Sequence, residues 1–251
     1  EYIQSIFNDE IPNKAIIQFP SLNNNNYNTL KFKIKRFFKY IKDNKCVLPK
    51  IWKEKLFILD ESRTNNIIKH LQKRHKGQIY SVSFFDFYNK NYNPEIKKTN
   101  IDQINNIVDK LIDELVLLAN KHNLSLTDKQ NLFLSNHTKD LFIKSYKVLL
   151  NVSKSIKNKK INLYLGCNNN YFTRILSVAI KKNNGKIHGF RHGEPFNYLY
   201  DLISWLDLSL CDYWYEYNNK NINEMKEVVK LFPPPNNNKF KIKKMENSIF
   251  Q

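Results

Sequence analysis

The sequence predicts an α/β fold with a doubly wound, mainly parallel sheet of the Rossmann-like kind, and two observations predict it. Short apolar segments alternate along the chain with longer segments whose apolar residues recur at helical spacing. The predicted strands are separated by helices of about ten residues or more, and connections of that length join parallel neighbours. Since 41% of the 251 residues are apolar, the chain can bury a core. We expect one domain over residues 1–235 and a basic tail or linker over residues 236–251.

Six segments are predicted as strands because they are short, apolar and rich in β-branched or aromatic residues. They cover residues 15–19, 55–60, 78–85, 162–166, 186–191 and 212–217. Pro20 closes the first of them, since proline cannot continue a ladder of hydrogen bonds. A further basic segment, 239–244, is interpreted either as the start of a linker or as a segment that returns to the domain.

Helices are predicted where apolar residues repeat every three or four positions. They cover residues 30–42, 61–75, 101–118, 127–152, 171–182 and 221–231. Thr99 or Asn100 can cap the third helix, and Thr127 with Gln130 fits a capping box for the fourth. The fourth helix is expected to break near residues 135–138 before it resumes.

The formal charge of +18 comes from 36 lysines and only five arginines, set against 23 acidic residues. Recognition of phosphates and bases usually recruits arginine, because its planar guanidinium binds two acceptors at once. The lysines, together with 37 asparagines, are instead typical of an AT-rich coding bias on surface positions. We therefore predict no specific nucleic-acid partner, although diffuse lysine attracts polyanions and anionic membrane faces.

The predicted helix 30–42 is basic and amphipathic. Its apolar stripe consists of Leu30, Ile34, Phe37, Phe38 and Ile41, and lysines fill the other faces. The pattern favours a helix that packs on the sheet, with its lysines in solvent. The alternative is peripheral contact of this helix with an anionic membrane.

Several enzyme classes lose support because their motifs are missing from the sequence. It contains no dinucleotide fingerprint, phosphate loop, nucleophile elbow or H-E-x-x-H motif. No two carboxylates or histidines fall at a convincing ligand spacing, so neither a metal nor a cofactor is predicted. The three widely spaced cysteines fit neither a disulfide framework nor a zinc cluster, which indicates a reducing compartment. The sequence also contains no long apolar run and no signal pattern. We therefore predict a cytoplasmic protein.

The chemistry of a doubly wound sheet is expected beyond the carboxyl ends of its strands. At the fifth predicted strand, His192 can take a proton from an attacking hydroxyl or donate one to a phosphate. Gly193 lets the backbone approach a ligand closely, and Arg191 suits a phosphate or a carboxylate. Glu194 can orient the imidazole or act as the base itself. The simpler alternative is a histidine that only caps the end of the strand.

The residues around this segment carry a family resemblance. A strand, 163–167, leads through Asn168, Asn169 and Asn170 into a helix with Arg174, and the next strand ends in His192-Gly193. A Cys-Asp-aromatic strand, 211–214, follows. In this order of motifs, residues 162–218 resemble the amino-terminal lobe of the GT-B glycosyltransferases that build bacterial capsule and lipopolysaccharide, including Kdo transferases and teichoic-acid glycerophosphotransferases.

The resemblance implies transfer of a sugar from a nucleotide-sugar substrate to a growing glycan, which can be lipid-linked and held at the inner face of the cell membrane. It implies that His192 is the base or a phosphate contact and that Gly193 permits close approach of a ligand. Together with the residue chemistry above, this predicts catalytic roles for His192 and Glu194, and substrate contacts for Arg191 and Gly193. The alternative function is a non-catalytic α/β module that binds a glycan or a partner protein, since a GT-B enzyme has a second lobe that residues 219–251 do not provide.

The same resemblance assigns roles to the residues around the preceding helix. It implies that the three asparagines 168–170 form a polar loop near the acceptor and that Arg174 reaches a sugar carboxylate. Each assignment has a simpler alternative. The asparagines then reflect coding bias in a solvent loop, and Arg174 is an ordinary surface residue of a helix.

Overall fold

The chain forms two compact units, Glu1–Asn23 with Asn91–Asn151 and Asn24–Lys90 with Val152–Gln251. The structure is a computed structural model, and it describes residues 22, 30–44, 55–59, 65–74, 78–157, 159–166, 170–190, 208–216, 219–231 and 240–245. The predicted strand 15–19 lies outside these residues. The prediction of one domain over 1–235 stays a prediction.

The second unit contains a six-stranded, all-parallel sheet with the strand order β2-β1-β3-β4-β5-β6. The strands are β1 Lys55–Leu59, β2 Gln78–Val82, β3 Asn162–Leu165, β4 Lys186–Phe190, β5 Tyr213–Glu216 and β6 Lys241–Lys244. From β1 the chain adds β2 on one side of the sheet and then β3 to β6 on the other side. This change of side between β1 and β3 makes the sheet doubly wound. The predicted fold class is therefore confirmed, and of the two interpretations of 239–244 the returning segment is correct, because β6 pairs with β5.

Six helices are described, and their bounds agree well with the sequence pattern. They are α1 Leu30–Asp43, α2 Asn65–Arg74, α3 Lys98–Lys121, α4 Asp128–Ile156, α5 Tyr171–Lys182 and α6 Asn219–Leu231. The strand predicted over 78–85 is shorter than expected, because β2 ends at Val82 and a 3-10 helix, Phe84–Asp86, follows.

The first unit contains α3 and most of α4, which form an antiparallel hairpin. The predicted capping box at the start of α4 is confirmed, because the backbone nitrogens of Thr127 and Gln130 each donate to the other residue's side chain, at 2.8 and 3.3 Å. The predicted break at 135–138 is wrong, since α4 runs unbroken from 128 to 156. Contacts across the hairpin hold this stretch, among them Lys139 Nζ at 2.6 Å from the carboxylate of Asp109.

The predicted cap of α3 is wrong. The helix begins after Lys97, so Thr99 and Asn100 lie inside it rather than at its cap. Its apolar stripe is only partly buried. Val108 and Ile112 are buried, while Leu111, Leu115 and Leu118, which the same stripe contains, are exposed.

The core of the second unit joins α2 to one face of the sheet. Ile67, Ile68 and Leu71 of α2 pack with Leu56 and Ile58 of β1. The same cluster includes one residue from each of four further strands and one residue that follows β6, namely Ile79, Tyr164, Phe190, Tyr215 and Met245. His70 of α2 also belongs to this interface. It is buried, with its ring 5.2 Å from that of Tyr215 and 5.7 Å from that of Phe190.

Helix α1 contacts β2 through a side that the sequence did not predict. Its buried residues are Tyr40 and Asp43, and the Tyr40 ring lies 5.1 Å from the ring of Tyr80. The apolar stripe faces solvent instead of the sheet: Leu30, Ile34, Phe37 and Phe38 are 74%, 47%, 51% and 65% exposed. The expected packing of this helix on the sheet, with lysines in solvent, is confirmed, but Tyr40 rather than the apolar stripe makes the contact. Periodicity predicts which residues share a face, and Tyr40 lies on another face.

Candidate functional site

The carboxyl ends of β3, β4 and β5 meet at one edge of the sheet, because these strands are neighbours and run parallel. The last residues of the three strands are Leu165, Phe190 and Glu216. In the chain, Arg191 and His192 directly follow Phe190. Doubly wound sheets bind ligands at this edge, and in the sequence the predicted site residues 168–170 and 191–194 come after β3 and β4.

Two of the eight predicted site residues, Asn170 and Arg174, lie within the described residues. The other six lie outside them, so their roles stay predictions. These six are Asn168, Asn169, Arg191, His192, Gly193 and Glu194.

Asn170 is the N-cap residue of α5. Its backbone is extended, with φ −85° and ψ 147°, and its side-chain oxygen accepts a hydrogen bond of 3.0 Å from the backbone nitrogen of Thr173. Asparagine is among the preferred residues at this position because its oxygen satisfies an amide that has no partner within the helix. The structure therefore assigns Asn170 a capping role, and contact with an acceptor stays a prediction.

Arg174 lies in the first turns of α5 and is half-buried rather than fully exposed. Both terminal nitrogens of its guanidinium lie 3.4 Å from the hydroxyl of Ser209, which is buried. These contacts are long for N–H···O bonds, which are usually about 2.9–3.0 Å. The guanidinium also lies near the positive end of the helix dipole. A planar cation at this end of α5 suits a carboxylate or a phosphate.

Glu216, the last residue of β5, is a buried carboxyl group that the sequence reasoning missed. Its side chain is fully buried and accepts a hydrogen bond of 2.7 Å from the indole nitrogen of Trp214. The two side chains lie on the same face because they are two residues apart in a strand. The sequence feature that could have indicated it is the single acidic residue within the aromatic segment Tyr213–Tyr217. Buried charged groups are normally hydrogen-bonded, as this one is.

A second candidate region lies toward the amino ends of the strands. It is a cavity of about 840 Å³, here called the amino-side cavity. The first residues of four strands, Lys55, Asn162, Lys186 and Tyr213, line it together with Lys159–Ile161, which lead into β3. The remaining lining residues are Phe57, Phe87, Tyr164, His188, Tyr215 and Lys243. Its volume is in the range of sites for small ligands, which is about 300–1,000 Å³.

A row of stacked rings forms part of the cavity wall. The strand register places Tyr164, His188 and Tyr213 side by side on β3, β4 and β5. Their ring centroids are 4.3 and 4.8 Å apart, which matches the spacing of about 4.8 Å between neighbouring strands. His188 is buried, and its Nδ1 lies 3.2 Å from the hydroxyl of Tyr215. The sequence reasoning missed this histidine, although its alternation with Lys186 and Phe190 already placed all three on one face.

Lysines surround the row of rings. The ammonium group of Lys243 lies 4.1 Å from the centroid of the Tyr213 ring. That of Lys186 lies 5.4 Å from the same centroid and donates to the Tyr213 hydroxyl at 3.2 Å. These distances are within the range of cation–π attraction. The lining residues include five lysines and neither Asp nor Glu, so the cavity is electropositive.

Two kinds of feature are absent from the part of the chain that the structure describes. There, no three His, Cys, Asp or Glu side chains are grouped so that they could hold a metal ion. Within the same residues, no helix combines the length and the apolar character needed to cross a bilayer. Cys211, one of the three widely spaced cysteines, is buried.

Comparison with known proteins gave no relative. No family model, no curated protein and no solved structure matches the chain. The structure itself defines the class as an α/β protein with a parallel, Rossmann-like sheet.

Proposed function

We propose that the chain is an acceptor-type lobe of a GT-B glycosyltransferase, which transfers a sugar from a nucleotide-activated donor to a growing bacterial surface polysaccharide. The observation that carries the proposal is the unbroken order β3, α5, β4, β5 in neighbouring parallel strands, with Arg174 near the start of α5. The motifs of the resembling family occur in this order: strand, polar loop, helix with an arginine, strand ending in His-Gly, and aromatic strand.

In the proposed reaction, His192 accepts the proton of an acceptor hydroxyl as that oxygen bonds to the anomeric carbon of the donor sugar. The bond between the sugar and the nucleotide breaks, and the nucleotide leaves with the electron pair. Glu194 orients the imidazole through a hydrogen bond, and Arg174 binds the carboxylate of an acidic sugar.

The test measures nucleotide release from a panel of UDP-, GDP- and CMP-activated sugars in the presence of bacterial lipid-linked glycan. We expect His192→Ala to lower the rate by about 10²–10⁴-fold, the usual contribution of a general base. The melting temperature should not change. The matched control is His122→Ala, which removes an exposed histidine at the carboxyl end of α3. This variant should leave the rate of nucleotide release unchanged.

A well-folded His192→Ala protein with full activity would contradict the proposed catalytic role. Binding of the glycan without turnover of any nucleotide sugar by the wild-type chain would instead favour the non-catalytic binding module. The two outcomes are separated by measuring glycan binding and nucleotide release on the same preparation.

We also propose that α1 holds the protein on the anionic inner face of the cell membrane, where a lipid-linked acceptor is found. Four large apolar side chains on one face of α1 are exposed: Leu30, Ile34, Phe37 and Phe38. Exposed lysines occur on the same helix at 31, 33, 35 and 42. An apolar face flanked by lysines is typical of helices that lie in the interface of an anionic bilayer.

Co-sedimentation with vesicles tests this contact. We expect the wild-type chain to pellet with vesicles that contain phosphatidylglycerol and not with vesicles of phosphatidylcholine alone, and added salt should weaken the interaction. Phe37→Ser with Phe38→Ser should abolish pelleting. The matched control changes another adjacent exposed apolar pair, Leu117→Ser with Leu118→Ser on α3. Equal loss in both double variants would show that exposed apolar area in general causes the binding, and would overturn the role of α1.

A further inference from the structure

The amino-side cavity combines features that suit a multiply charged anion. Five of its lining residues are lysines, while its lining contains no acidic residue. Four of these lysines, Lys55, Lys159, Lys160 and Lys186, are exposed, so their ammonium groups reach solvent and are open to a ligand from outside. Like charges at one cavity repel each other, and an anion bound between them removes that repulsion.

Two of the lysines are held in place by the rings beneath them. Lys186 and Lys243 start from β4 and β6, which are separated by β5, and both ammonium groups lie over the ring of Tyr213 on β5. Tyr213 in turn stacks on His188, and His188 stacks on Tyr164. The strand register fixes the position of the row of rings. The ammonium groups of Lys186 and Lys243 therefore lie close together, over the ring of Tyr213. Fixed donors lose less entropy when they bind a ligand.

We infer that the amino-side cavity is a binding site for a small molecule that carries two or more phosphate groups. Compact ammonium groups bind phosphate oxygens as point charges, and several of them are needed for a polyphosphate chain. The cavity volume of about 840 Å³ accommodates a ligand of nucleotide size. The site lies toward the amino ends of the strands, so it is separate from the carboxyl edge and does not depend on the proposed sugar transfer.

The experiment is isothermal titration of the full chain with two probes, ATP and inorganic tripolyphosphate. We expect both to bind, with affinities that fall as sodium chloride is added. Lys186→Gln with Lys243→Gln should weaken binding by at least about tenfold, because the change removes two charge-assisted hydrogen bonds, which are stronger than bonds between neutral groups. Lys186→Arg with Lys243→Arg keeps both charges and should retain binding.

The matched control is Lys220→Gln with Lys226→Gln, which removes two exposed lysines of α6 that do not line the cavity. It lowers the net charge by the same amount and should change the affinity by less than about twofold if binding is local rather than diffuse. Equal weakening in the two Lys→Gln double variants, or no binding of either probe to the wild-type chain, would overturn the inference. Tighter binding of ATP than of tripolyphosphate would identify a nucleotide as the source of the phosphates, and equal binding would identify the polyphosphate chain alone.

Discussion

Gly189 lies directly against the indole of Trp214, its register partner on the neighbouring strand. A Cβ atom on Gly189 would come within 2.4 Å of Trp214 Cε3 and within 2.8 Å of the sulfur of Cys211. Glycine is therefore required here by a close approach of side chains. The contact fixes the pairing of β4 with β5 one residue before β4 ends at Phe190. The predicted site residues 191–194 follow directly in the sequence.

Gly189→Ala should destabilise the protein, because the added methyl group forces the buried indole to shift. Overpacking of this kind usually costs about 1–3 kcal/mol. The free energy of unfolding from urea denaturation measures the effect. Trp214→Leu in the Gly189→Ala background removes the clashing ring, so the alanine should then have a smaller effect. An unchanged effect of the alanine in that background would show that the indole is not the cause.

Asn44 should stabilise the β2 edge of the sheet. Its side-chain amide donates to the backbone oxygen of Ile79 at 2.9 Å, and its side-chain oxygen accepts from the backbone nitrogen of Ile79 at 2.9 Å. Since β2 is an edge strand, this amide replaces a neighbouring strand at one residue.

Asn44→Ala leaves both backbone groups of Ile79 without this partner, and we expect a loss of about 1–3 kcal/mol with faster hydrogen exchange of the Ile79 amide. Exchange measured by nuclear magnetic resonance tests it. Asn183→Ala serves as the control, because its side chain donates only to the backbone oxygen of Ala179 within the end of α5. The prediction fails if exchange at Ile79 is the same in both variants.

Tyr40 should make stability depend on pH under alkaline conditions. Burial, with Tyr80 beside it, raises the pKa of Tyr40 from 10.0 to about 12. The unfolded chain then loses this proton at a lower pH than the folded chain. The stabilisation is fully present below pH 10 and is lost as the pH rises toward about 12. The difference in unfolding free energy between wild type and Tyr40→Phe, followed through this window, should therefore shrink as the pH rises, and a constant difference would refute the assignment.

Thr127 should determine where α4 begins. Thr127→Ala removes the side-chain oxygen that accepts from the backbone nitrogen of Gln130. Loss of an N-cap usually costs about 1 kcal/mol. Hydrogen exchange in the first turn of α4 should accelerate, whereas Thr127→Ser, which keeps the hydroxyl, should show little change. Equal acceleration in the two variants would argue against the cap.

The sequence by itself determined the alternation of strands and helices, the bounds of α5 and the capping box at Thr127, because these depend on residues close together in the chain. It also placed the predicted site residues after adjacent strands of a parallel sheet. Only the tertiary structure decided that the apolar stripe of α1 faces solvent, that His70 is buried and that Gly189 lies against Trp214. It alone gathered lysines from β1, β4 and β6 around one cavity. The physical reason is that periodicity defines which residues share a face, whereas the partner of that face depends on contacts between distant segments.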